Sequence, residues 1–146
     1  MNTLDRIGVR VETMTVTADP SYVPALLREI EALLTTLVET GRSGRIDLRS
    51  LPLLPGDDER LADALGEGEV DAVIEALGET RVRETGVAGV WWVTHANADG
   101  DTVAAFIDIT LMPEILMTHP DDVRTGLAAL RARLTDVTHE GDLHGG

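Results

Sequence analysis

Two apolar, β-branched stretches, Ala88 to His95 and Thr102 to Leu111, flank the segment Asn97-Ala-Asp-Gly and limit the fold more than any other feature of the sequence. Both stretches read as strands. Asp99-Gly100 is a favoured pair for a type I′ turn, whose two central positions both need positive φ. An antiparallel hairpin is therefore the first expectation. If the loop is Asp99-Gly100, Trp92 faces Ile107 and Trp91 faces Asp108. If the loop is the four residues Asn97 to Gly100, Trp91 faces Phe106 instead. Either way Trp92 shares a face with Val90, Ala105, Ile107 and Ile109, because a two-residue slip preserves side-chain parity. That face is the expected core.

The opposite face then carries Trp91, Val93 and Phe106 beside His95 and Asp108. A tryptophan side chain buries roughly 150–250 Å², worth about 4–6 kcal/mol at about 25 cal/mol per Å². A bare indole on a sheet forfeits that stabilisation, so a cover is expected. Either a segment of the same chain or a second subunit or client protein supplies it. Trp91, Val93 and Phe106 are the expected partner-contact patch.

Around the hairpin the pattern changes from period 2 to period 3.6. Ile7-Gly-Val-Arg-Val-Glu alternates weakly as a strand. Ser21 and Pro24 then suit a helix start, and Leu26, Leu27, Ile30, Leu33, Leu34, Leu37 and Val38 recur on one face before Gly41 and Gly44. The segment from Ile46 to Pro55 is too proline-marked for a central strand. Asp57 or Asp58 opens a short helix with Leu61 and Leu65 one turn apart, closed by Gly66. A β-meander follows, with strands over Val70 to Leu77 and roughly Arg81 to Val87 ahead of the hairpin. Pro113-Glu-Ile-Leu-Met suggests one helical turn. A last helix starts near Thr118-His-Pro-Asp-Asp, with Val123, Leu127, Leu130 and Leu134 as its inner face. After Asp136 the pattern dissolves. The expectation is α+β: an antiparallel β-meander sheet with helices packed on one face. Residues 1–135 would form a single domain and residues 136–146 a flexible tail, since 146 residues suffice for one core and not for two.

Charge and composition narrow the function. Asp plus Glu number 26 against 12 Lys plus Arg, a formal charge of −14. With the arginines dispersed, such a chain repels phosphate backbones, which argues against nucleic acid as a partner. Glu67, Glu69 and Asp71 are candidates for steering a basic client. Cysteine is absent, which removes disulfides, thiol catalysis and thiolate-held metals. No run of about 18 apolar residues is present to insert into a bilayer. Met1 to Arg10 lacks a signal peptide's basic head and apolar body, so the cytoplasm is the expected compartment.

Candidate chemistry is thin. No serine lies in a GxSxG elbow, and Gly66-Glu-Gly lacks the Lys-Ser/Thr of a phosphate loop. His139 and His144 are spaced for neither helical i, i+4 pairing nor a tight loop, and His119 reads as a helix-start residue, so no metal ligand and no cofactor is assigned. Two minority readings remain. One is a metal-handling protein passing nickel or iron through His and carboxylates. The other is a small hydrolase using Glu84 and Asp108, two carboxylates that interrupt apolar strands.

Four motifs in order carry a family likeness: LRSLPLLPGD (Leu48 to Asp57), LGEGEV (Leu65 to Val70), ETGVAGVWWV (Glu84 to Val93) and FIDITLMPEIL (Phe106 to Leu116). Together they resemble the C-terminal region of hydrogenase expression/formation proteins of the HupH/HyaF type, from about Ile46 to Leu134. The resemblance implies a non-enzymatic, chaperone-like accessory role in maturing a nickel–iron uptake hydrogenase. It implies contact with an immature subunit, the small subunit first, or with another accessory protein. It supplies no catalytic residues. Members of the family are longer than this chain, and self-association into a homo-oligomer is one way for a short form to present an equivalent surface.

Overall fold

The computed structural model describes residues 21–144; the alternating stretch at Ile7 lies outside them. The hairpin forms as strands β4 (Val90–Ala96) and β5 (Thr102–Ile109). Its register sets Trp92 opposite Ile107 and Trp91 opposite Asp108. The turn differs from the expected type I′, because among the described residues no side-chain-bearing residue has a positive φ. Instead the Asn97 side chain organises the loop. Its Oδ1 accepts from the Asp99 and Asp101 N–H groups at 3.0 and 2.9 Å. The Gly100 N–H closes onto the Asn97 carbonyl at 3.0 Å, and Gly100 alone takes the left-handed conformation, at φ 88°. A register shift beyond His95 absorbs the extra loop residue and leaves the central pairing intact.

The hairpin is the middle of a five-stranded antiparallel sheet of order β1-β5-β4-β3-β2. Strand β1 (Gly44–Asp47), missed in the sequence, pairs only with β5 and so lies at the sheet edge, the position a proline-marked segment can take. Strand β2 spans Glu67–Glu75 and β3 spans Glu79–Thr85, so both lie N-terminal to their expected positions. The acidic, glycine-broken run ahead of Val70 is strand because Glu67 still pairs with Thr85 across an irregularity before Asp71. Gly68 permits that approach, since a Cβ there would sit 2.6 Å from the Thr85 carbonyl oxygen.

Helix α1 (Val23–Thr40) begins where the Ser21 hydroxyl accepts from the Val23 N–H at 3.2 Å and ends at Gly41. Helix α2 (Asp57–Leu65) starts with three acids in its first turn, which suits its positive end, and stops at Gly66. The two are tied at their starts: Ser21 donates to Asp57 Oδ1 at 2.7 Å, and the Leu54 N–H donates to Asp57 Oδ2 at 2.9 Å. These two bonds, the Leu54 one first, hold the Asp57 carboxyl below its ordinary value of 3.8. Leu26 and Ile30 of α1 and Leu61 and Leu65 of α2 pack with Val90, Trp92, Ile107 and Ile109 into one core. Each such side chain contributes about 1.5–3 kcal/mol by leaving water. The fold is α+β, with α1 and α2 on the Trp92 face of the sheet.

The chain separates into two compact units, one ending at Leu111 and the other starting at Met112. The second holds a 3₁₀ turn (Glu114–Leu116) and helix α3 (Pro120–His144). His119 starts α3, with its Nδ1 accepting from the Asp121 N–H at 3.1 Å. Two expectations are corrected here. Val123, Leu127, Leu130 and Leu134 do not line a buried inner face; each is at least 48% exposed. Nor does the chain turn irregular after Asp136, because the helix continues to His144. Gly141 is the poorest helix former in that stretch, at about 1 kcal/mol relative to alanine. The Thr135 and Thr138 hydroxyls bond back to the Arg131 and Leu134 carbonyls.

Candidate partner-binding face

Strand pairing places the expected patch in cross-strand rows on the sheet face opposite the core. One row runs Glu84, Trp91, Asp108, Arg45; the next runs Ala72, Val82, Val93, Phe106, Asp47; a third holds Thr80, His95 and Ala104. Trp91, Val93 and Phe106 are thus neighbours, and the two indoles point to opposite sides, as alternation demands.

Exposure decides what those residues can do. Trp91 is 6% exposed and Val93 1%. Trp91 Nε1–H donates to the Thr110 carbonyl at 3.2 Å. Both residues form the floor of the outer face and not an open contact patch. Phe106 remains half-buried.

Arg45 is the residue that the sequence did not disclose. Its Nε and Nη2 donate to Asp108 Oδ1 and Oδ2 at 2.7 and 3.2 Å, a bidentate geometry stronger than a single neutral bond. Its guanidinium carbon lies 4.0 Å from the Phe106 ring centroid, within reach of the ring's negative face. Asp108 is buried at 6% exposed, while the Arg45 side chain is 57% exposed. On the other flank His95 Nδ1 and Thr80 Oγ1 share a 2.6 Å hydrogen bond, and the His95 and Phe106 rings stand 5.5 Å apart. Arg45 escaped notice because β1 is only four residues long and its pairing partner lies 63 positions away.

The acidic candidates fall elsewhere. Glu67 and Asp71 line a cleft of about 410 Å³ between α2, β2 and β3, together with Asp63, Arg83 and the edge of Trp92. This cleft opens on the helix side of the sheet, so Asp71 and Trp91 are not brought together. Glu67 and Glu69 are exposed, and the Glu69 N–H donates to Glu84 at 3.3 Å. Arg81 Nε donates to Asp71 Oδ1 at 2.9 Å. That bond, with Arg81's charge, lowers the Asp71 carboxyl below 3.8 and raises Arg81 in turn. Both partners are nearly half exposed, so water screens the pair.

The hydrolase candidates are also engaged. Glu84 and Asp108 flank Trp91 on successive strands, about 9–10 Å apart at two strand spacings. The cleft lined by Glu84 does not include Asp108, which is committed to Arg45. Among the described residues no three His, Asp or Glu side chains gather as a metal site, and no helix is long and apolar enough to cross a membrane.

Residues 22–137 match the family model for the HupH hydrogenase expression protein, C-terminal conserved region. The chain is 29% identical over 114 residues to the hydrogenase expression/formation protein HoxQ of Cupriavidus necator, covering 78% of this chain and 39% of that protein. Against HupH of Rhodobacter capsulatus it is 29% identical over 117 residues, covering 78% and 41%. The chain thus spans about two fifths of the length of these curated relatives. A solved structure, the hydrogenase expression protein HupH from Thiobacillus denitrificans, superposes with a TM-score of 0.77 at 41% identity, covering 82% of this chain and 99% of that one.

Proposed function

Because the chain belongs to the HupH hydrogenase expression protein family, we propose that it is a chaperone-like accessory protein that assists maturation of a nickel–iron uptake hydrogenase. It binds an immature subunit, the small subunit first, or another maturation factor, and shields that client until its cofactors are in place. It acts in the cytoplasm by binding and not by catalysis, and needs no cofactor of its own.

The observation that carries this reading is the likeness to the Thiobacillus HupH structure across nearly all of that chain. The geometry adds a means. Trp91 and Val93 hold the outer face rigid from beneath, Phe106 and the guanidinium of Arg45 present an aromatic–cationic surface, and the exposed acids of β2 set the field. A net charge of −14 accelerates encounter with a basic client and makes the rate sensitive to salt. Glu67 and Glu69 are the steering residues at the β2 edge, with Asp71 contributing less because Arg81 offsets its charge.

Affinity capture with the tagged full chain, from cells expressing a nickel–iron hydrogenase, tests the proposal. The expected result is co-purification of a hydrogenase subunit or accessory factor, with lower recovery for the Glu67→Lys, Glu69→Lys double variant. Capture of no hydrogenase component from such cells removes the reading.

A further inference from the structure

Helix α3 carries Val123, Leu127, Leu130, Leu134 and Val137, in alternating steps of four and three, and all five are between 48% and 66% exposed. At about 100° per residue they fall within about 40° of a single line along the helix. Arg124 and Arg131 border that line on one side and Arg133 on the other. Three of the 12 basic residues of a strongly acidic chain therefore edge one apolar stripe. A stripe so continuous marks a surface meant for contact.

A receptor of matching chemistry exists on the same protein. Between α1 and α2 runs an apolar groove of about 440 Å³, lined by Leu27, Leu34, Val38, Leu65 and Val87 and rimmed by Glu31 and Glu39. Val38 is 83% exposed and Val87 37%, so the groove is open. Glu31 and Glu39 stand about 12 Å apart along α1, and Arg124 and Arg131 about 10.5 Å apart along α3, at 1.5 Å per residue. Arg124 now bonds Asp121 at 2.8 Å, with both side chains at least 70% exposed, an exchangeable surface pair.

The geometry points to a second copy of this chain as the occupant, in a two-fold dimer where α3 of each copy lies in the α1–α2 groove of the other, its arginines against Glu31 and Glu39. Two-fold exchange makes the contact twice, which brings a single helix-in-groove contact toward the roughly 1,200–2,000 Å² that specific interfaces bury. Pairing α3 with α3 instead gives little more than two heptads of seam and leaves Glu31 and Glu39 of the groove unused. The inference goes beyond the proposed function, since it concerns copies of this chain alone.

Sedimentation equilibrium of the purified full chain is the test. The expected mass is twice the 15.7 kDa of one chain. Val38→Asp and Leu130→Asp, both at exposed positions where folding is unaffected, should each raise the dimer dissociation constant more than about tenfold, because a carboxylate would be buried without a partner. Arg124→Glu with Arg131→Glu should weaken the dimer about fivefold, and adding Glu31→Arg with Glu39→Arg should restore it. A monomeric parent overturns the inference, and so does a dimer indifferent to Val38→Asp or one that the reversed charges fail to rescue. These masses are read without any client, so failure to capture a hydrogenase subunit would leave them standing.

Discussion

Replacing Trp91 by alanine separates a structural indole from a contact residue held in reserve. The ring is 6% exposed and its Nε1–H reaches the Thr110 carbonyl. Removing roughly 150–250 Å² from the interior forfeits about 4–6 kcal/mol by area, which is an upper estimate because unfolded chains already bury some apolar surface. Tryptophan-to-alanine changes in cores cost about 3–5 kcal/mol, and that is the expected loss. Trp91→Phe keeps most of the apolar area and loses the hydrogen bond and part of the ring, so it should lose about 1–2 kcal/mol. Urea unfolding followed by far-UV circular dichroism, at one protein concentration for all variants, reads both. With a slope of about 2 kcal/mol per molar, the alanine variant's midpoint falls by about 1.5–2.5 M. Trp92, the other of two tryptophans, remains as an independent fluorescence probe. A loss below about 1 kcal/mol for Trp91→Ala, the range of ordinary surface changes, would refute the reasoning that this ring is part of the interior.

A double-mutant cycle on Arg45→Ala and Asp108→Asn should give a coupling of about 1–3 kcal/mol, discounted from the 3–5 kcal/mol of a fully buried pair because Arg45 is more than half exposed; urea midpoints of the four proteins check it, and additive losses would dismiss the pair as structural. Arg45→Lys should not restore the parent value, since an ammonium lacks the planar fork that meets both Asp108 oxygens. Asp57 gives the protein an acid-sensitive element. Its folded pKa lies below the unfolded value near 3.8 because the Leu54 N–H and then the Ser21 hydroxyl bond its carboxylate. The stabilisation is therefore complete above about pH 4 and is lost as pH falls through the folded value. Unfolding measured from about pH 7 to about pH 2.5 should show a shallower acid limb for Asp57→Asn, and an unchanged limb would dissociate Asp57 from it.

Much of the sheet was legible because its signals are local. Two apolar strands, a turn containing Asp-Gly and strict alternation suffice to send Trp91 and Trp92 to opposite faces and to choose Val90, Ile107 and Ile109 as core. The helices at Val23 and Asp57 were legible for the same reason, since an early proline or first-turn acids and the apolar spacing lie within a few turns. The turn conformation was not, because the Asn97 carboxamide competes with the type I′ geometry that Asp-Gly favours by itself. The candidate site was legible only in part. Trp91, Val93 and Phe106 do cluster, yet whether they are open depends on what lies over them, and burial is not a property of spacing.

From the order of its residues alone, this chain determined its strand alternation, its helix starts, the family likeness of its four motifs and the sign of its field, because each depends on neighbours within a few positions or on a simple sum of charges. Tertiary structure decided that Arg45 reaches across to Asp108 and Phe106. It also decided that Trp91 is covered and that the stripe of α3 is exposed. Those outcomes hang on which distant surfaces meet, and a one-dimensional pattern specifies that a face is apolar without specifying what will cover it.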